Sequence, residues 1–244
     1  MEYFYKYLLN IIPIFSLEVI SVIVGIYYLK KNQSASKIET YFLYYLGLTV
    51  AVEIIALYTP IAYFSNYEYF GFTKGKRYER NSWLYNIYVI ISFAFYIYFF
   101  STLLTNGIKQ KTLKTINIVF VLATVLNLML SDVFYKGDSI FTIILGSFIL
   151  LFSVILFYFQ LLESDKIISL KKILPVYISI GVLIFYLCLT PIAIFSQYFN
   201  PKNELFINVK AIVMPLANII MYGAFIIGFI ACAKSNPNKD ELLN

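Results

Sequence analysis

Apolar runs of bilayer length, separated by short polar stretches, recur from one end of the chain to the other. A helix rising about 1.5 Å per residue needs about 20 residues to cross about 30 Å of hydrocarbon. Runs that meet this length lie at about Leu8–Leu29, Tyr41–Phe64, Leu84–Leu104, Leu113–Ser131, Ser139–Leu162, Ile173–Phe195 and Leu205–Ala233. They lack strict alternation and are about twice the length of a barrel strand, so the pattern predicts an all-α, polytopic bundle of seven transmembrane helices. The fourth run is the most diluted, because Asn117 and Asn127 fall inside it.

Composition agrees with the pattern. Hydrophobic residues make up 61% of the chain and charged residues 13%, too little polar surface to clothe a water-soluble globule. The expected organisation is one transmembrane domain over residues 1–234 and a short cytoplasmic tail over 235–244. No cleavable signal is expected, because "MEYFYKY" lacks a basic n-region and the first run is of spanning length.

Charge adds an orientation. Lys30, Lys31, Lys37, Lys109, Lys111, Lys114, Lys166, Lys171 and Lys172 follow the odd-numbered runs, and Lys234 and Lys239 lie in the tail. On the other side Lys6, Lys74, Lys76, Arg77, Arg80, Lys136 and Lys202 are partly balanced by Glu2, Glu68, Glu79, Asp132, Asp138 and Glu204. The positive-inside rule then puts the N-terminus outside and the C-terminus in the cytoplasm. The net charge of +6 reads as this topology signal, and nucleic acid is not an expected partner. The preference for Lys over Arg and the abundance of Ile, Asn, Phe and Tyr suit low-GC coding, and the expected location is a bacterial inner membrane.

Several chemistries are excluded. With no histidine there is no Ser-His-Asp or Cys-His pair, no usual zinc site and no histidine-ligated haem. Neither a phosphate-cradling glycine loop nor a Gly-x-Ser-x-Gly elbow occurs. No enzyme activity, cofactor or metal is expected. Cys188 and Cys232 fall at different depths in the last two spans and should not be bridged to each other.

Three charged side chains fall well inside runs, away from their ends: Glu18, Glu53 and Lys210. A charge at the bilayer centre costs on the order of 3 kcal/mol, so such groups usually face the bundle interior. Glu18 and Glu53 are each roughly 15 Å from the outer ends of their helices and can share one level. Ile14, Glu18, Ser21 and Gly25 form one helical stripe, and Thr49, Glu53, Ala56 and Pro60 a second. Lys210, with Asn218 one or two turns deeper, could reach the carboxylates or snorkel to headgroups. Two carboxylates sharing one ammonium would form a proton-binding site. The alternative is polar glue, with the carboxyls bonded to backbone, Ser21 or Thr49 across helices.

The second and sixth runs end alike. Thr59–Tyr67 and Thr190–Tyr198 share seven of nine residues at an offset of 131. This suits a parallel 3+1+3 repeat, and a chance match in an Ile-, Phe- and Tyr-rich composition accounts for it equally well. Pro60 and Pro191, each preceded by threonine, are candidate hinges. In plan the chain resembles the SWEET sugar transporters, which implies solute transport, and also the seven-helix sensor modules of bacterial receptors. Microbial rhodopsins share its size and topology, but Lys210 is near a helix end and the third helix carries no carboxylate, so no retinal is expected.

The longest connection, Ser65–Ser82, carries Tyr67, Tyr69, Phe70 and Phe72 ahead of Lys74, Lys76, Arg77 and Arg80. It reads either as an interfacial lid that attracts an anionic ligand or as a solvated link. The function expected is that of an integral membrane sensor, receptor-like or an accessory subunit, acting through a separate protein partner or small-molecule ligand. A small-solute transporter, proton-coupled or facilitative, is the alternative.

Overall fold

The computed structural model describes residues 2–33, 35–164, 170–196 and 204–234. The helices are α1 (Glu2–Lys31), α2 (Lys37–Ala56), α3 (Tyr58–Phe64), α4 (Ser82–Leu103), α5 (Gly107–Leu130), α6 (Val133–Lys136), α7 (Ile140–Leu162), α8 (Leu174–Ser196) and α9 (Glu204–Lys234). No strand occurs among the described residues. Among the described residues seven stretches are long and apolar enough to cross a membrane, with α2 and α3 together making the second. Within these stretches only 22–50% of the most apolar window is buried. Ile23, Ile55, Phe148, Leu187 and Ile227 are among the large side chains left exposed, a surface that suits lipid and not water. Lys166, Lys202 and the expected tail from residue 235 lie outside the described residues, as do Gln197 and Tyr198 of the echo.

Helix ends differ from the apolar runs where polar caps extend them. The second helix begins at Lys37, four residues before the apolar run, because Ser36 and Glu39 form a capping box. The Ser36 N–H donates to Glu39 Oε2 at 2.8 Å, and the Glu39 N–H donates to Ser36 Oγ at 3.4 Å. α5 begins at Gly107 because Asn106 Oδ1 accepts from the N–H groups of Ile108 and Lys109 at 3.0 and 3.1 Å. Hydropathy misses that first turn, since Lys109 and Lys111 occupy it. The asparagine that dilutes this span is used in packing: Asn117 Nδ2 donates to the Ala94 carbonyl of α4 at 2.9 Å.

The chain divides into two compact units. One comprises residues 1–12 and 48–157. Here α4 packs on α5, and the short α6 touches both. Phe93, Phe99, Phe100 and Phe120 are fully buried in this unit, and Phe93 meets Phe120 edge-on at 6.0 Å between centroids. Asn86, buried in α4, fixes the chain beyond α5: its Nδ2 donates to the Gly137 carbonyl at 2.9 Å and its Oδ1 accepts from the Ser139 N–H at 2.9 Å.

The connection from Ser65 to Asn81 in this unit is folded. Asn66, Tyr67 and Phe70 adopt positive φ, which costs a non-glycine residue roughly 1–2 kcal/mol. Local bonds offset that cost: the Tyr67 N–H donates to the Ala62 carbonyl at 2.7 Å, its hydroxyl donates to Glu79, and Thr73 Oγ1 donates to the Phe70 carbonyl at 2.8 Å.

The other unit comprises residues 13–47 and 158–244. Its main packing is α8 on α9, where Gly181 lies so close to Met221 that an added Cβ would meet the Met221 carbonyl oxygen at 2.9 Å. Phe42 of α2 meets Phe225 of α9 edge-on at 5.1 Å, and Tyr28 of α1 lies 5.5 Å from Phe229. Gly25 admits Leu43 and Phe229 in the same way. Cys188 and Cys232 are free thiols.

Candidate functional site: a polar ladder between α2–α3 and α4

The stripe Thr49, Glu53, Ala56 and Pro60 recurs at helical spacing, and three of its four members are buried while Glu53 is half-buried. Tyr88 and Tyr85 of α4 and Asn81 at its N-cap recur at intervals of three and four residues in the opposite order. The two stripes meet as rungs. Thr49 Oγ1 and Tyr88 Oη are 2.8 Å apart. One turn on, Tyr85 Oη donates to Glu53 Oε2 at 3.1 Å. At the third rung Asn81 makes two bonds: its Nδ2 donates to the Ala56 carbonyl at 2.8 Å and its Oδ1 accepts from Thr59 Oγ1 at 2.5 Å.

The third rung follows from Pro60. A proline has no N–H, so the carbonyl four residues earlier, that of Ala56, lacks its helical donor. The helix is interrupted at Leu57, between α2 and α3, and Asn81 supplies the missing donor from the start of α4. Thr59, which precedes the proline, donates its hydroxyl to Asn81. Pro191 behaves differently. It lies inside an unbroken α8, and the preceding Thr190 donates from Oγ1 to the Tyr186 carbonyl at 2.7 Å. The two prolines of the sequence echo therefore sit in different local structures.

The other sequence-selected residues belong to the second unit. Ile14, Glu18, Ser21 and Gly25 do form an inward stripe on α1: the last three are buried, and Ile14 is half-buried. Ser21 Oγ donates to the Glu18 carbonyl at 2.7 Å, a bond within its own helix. Lys210 is exposed on α9. Asn218 bonds back to its own helix, from Nδ2 to the Met214 carbonyl at 3.0 Å.

Periodicity found Thr49, Glu53 and Pro60 but missed their partners Tyr88, Tyr85 and Asn81. The signal was present in the proline, which demands a donor, and in the asparagine at the head of the next span. Chemically the ladder offers one carboxyl group, Glu53, inside a spanning segment with a phenol hydroxyl on one oxygen. It can hold or pass a proton, or accept from a donor on a ligand, and it contains no nucleophile–base pair. No group of three metal-ligating side chains occurs among the described residues. Comparison with known families, curated proteins and solved structures finds no significant match.

Proposed function

We propose that this chain is a multi-pass protein of a bacterial inner membrane, N-terminus outside and C-terminus in the cytoplasm. In this reading it is a sensor or accessory subunit that acts through a separate partner, and the Glu53 rung is its responsive centre. One observation carries it: a carboxyl group lies within a spanning segment, bonded to Tyr85 across two helices and set one turn from a helix interruption. An intramembrane carboxyl is costly to insert, and a purely structural rung could be built from neutral groups, as Thr49 and Tyr88 build the one beside it. Orientation rests on the lysine asymmetry of the loops. The absence of histidine and of a catalytic pairing supports assigning no reaction.

A small-solute transporter, proton-coupled or facilitative, is the second reading. The interruption at Leu57 favours it, since discontinuous spans line many transport sites.

Sidedness of access separates the two. With Cys188 and Cys232 replaced by alanine and Glu53→Cys as the single thiol, a membrane-impermeant thiol reagent is applied to each face in turn. Labelling from outside alone is expected for a sensor. Labelling from both faces would transfer the assignment to the transporter, and protection from both would reduce Glu53 to structural glue.

A further inference from the structure

The unit formed by residues 1–12 and 48–157 contains a cavity of about 640 Å³ that the Glu53 ladder does not use. One wall is the segment just before α4, with Lys76, Arg77 and Arg80; the other is the end of α5 with α6, ending in Lys136. Two carboxylates also face it, and both are engaged. Asp132 pairs with Lys136 at 2.5 Å. Glu79 accepts from the Tyr67 hydroxyl and from the Gly75 N–H at 3.0 Å. Glu79 is bonded only by neutral donors and keeps its charge, so Lys76, Arg77, Arg80 and Lys136 against Glu79 and Asp132 leave the cavity cationic, with a net charge of +2. The Arg77 guanidinium carbon lies over the Tyr135 ring, 5.6 Å from its centre, which holds this cation against the α6 wall.

Both walls are held. Asn86 ties the α6 segment, and Asn81 with Glu79 ties the other. The cations flank the ends of two spanning segments, where a headgroup would lie, and beside them Leu128 and Met129 add an apolar lining. Met129 is 78% exposed. A cationic pocket bordered by an apolar edge matches a phosphate ester carrying a hydrocarbon part.

We propose that this cavity binds a phosphate-bearing anion, with the phosphate among Lys76, Arg77 and Arg80. The site stands whether or not Glu53 responds to anything. The phosphate could belong to an anionic phospholipid or to a soluble phosphate, and the test has an arm for each. In the lipid arm, the full chain in non-ionic detergent is offered equal amounts of phosphatidylglycerol and phosphatidylcholine, and retention is read by native mass spectrometry. The soluble arm measures radiolabelled inorganic phosphate by equilibrium dialysis.

Binding in either arm should fall about tenfold in Lys76→Gln/Arg80→Gln, whose side chains are exposed and make no ring contact. It should persist in Lys109→Gln/Lys111→Gln, which removes equal charge from the start of α5. The arm that responds names the source. Should the first double variant not fold, Arg80→Gln alone replaces it. No binding in either arm, equal retention of both lipids without phosphate binding, or equal loss in both variant pairs would overturn the proposal.

Discussion

Asn81 Nδ2 donates to the Ala56 carbonyl across 2.8 Å, and Ala56 is the residue whose helical donor Pro60 removes. A side chain from the next helix thus closes a gap that a proline opened. In Asn81→Ala the carbonyl loses that donor, which should cost about 1–3 kcal/mol. In Pro60→Ala a backbone N–H returns to position 60, and the same Asn81→Ala change should then cost less, with a coupling of about 1 kcal/mol. Thermal stability of the four proteins in detergent micelles measures this. An equal cost in both backgrounds would show that Asn81 serves Thr59 or packing and not the freed carbonyl.

The spans were legible because bilayer length is written in composition, and the inward stripes because helical period is written in spacing. Their ends were less so: Ser36, Glu39 and Asn106 set them by hydrogen bonds, which hydropathy does not weigh. The interruption at Leu57 was anticipated only as a bend at Pro60. The partners of the ladder could not be read at all, because they depend on which helix lies alongside. Asn81 and Ala56 are separated by 25 residues, and Asn86 and Ser139 by 53. The basic and aromatic connection was legible as residue content, and its folding into one wall of a cavity was not.

Asn86 shows how much one buried amide can organise. Its Nδ2 reaches the Gly137 carbonyl at 2.9 Å and those of Val133 and Phe134 at 3.3 Å, while its Oδ1 takes the Ser139 N–H. Asn86→Asp preserves the acceptor but faces a carboxyl group toward three carbonyl oxygens. It should be at least as destabilising as Asn86→Ala, and both should cost about 2–4 kcal/mol. An aspartate variant melting with the unaltered protein would mean that the amide's donor side contributes little.

Glycines divide into those that permit helix contact and those that do not. At Gly181 an added Cβ meets a backbone oxygen, and at Gly146 it meets the fully buried Phe93 ring at 2.5 Å. Neither obstacle can swing aside, so Gly181→Ala and Gly146→Ala should each lose about 1–3 kcal/mol. Gly47 and Gly223 have nothing within 4 Å, and alanine there should be neutral or slightly stabilising. Melting midpoints of the four single variants decide it; a uniform response would mean that close approach is not what these positions provide.

Tyr67 and Glu79 make the connection from Ser65 to Asn81 sensitive to pH at both extremes. The Tyr67 hydroxyl, then the Gly75 N–H and the nearby Arg80 and Lys74 charges, hold the Glu79 carboxyl below its ordinary range. The bond to Glu79 in turn holds the Tyr67 hydroxyl above its ordinary range. A depressed carboxyl contributes stability that is present above its unfolded value, about 4.3, and lost as pH falls through the folded one. A raised phenol contributes stability that is complete below about 10 and lost as pH rises through its folded value. The segment should therefore stay closed between these limits and loosen beyond them. Subtracting the tyrosinate absorbance titration of Tyr67→Phe from that of the unaltered protein isolates one phenol among 23. It should ionise later than an ordinary tyrosine, and Glu79→Gln should return it toward the ordinary range; a titration unmoved by Glu79→Gln would leave the pair without influence on the segment.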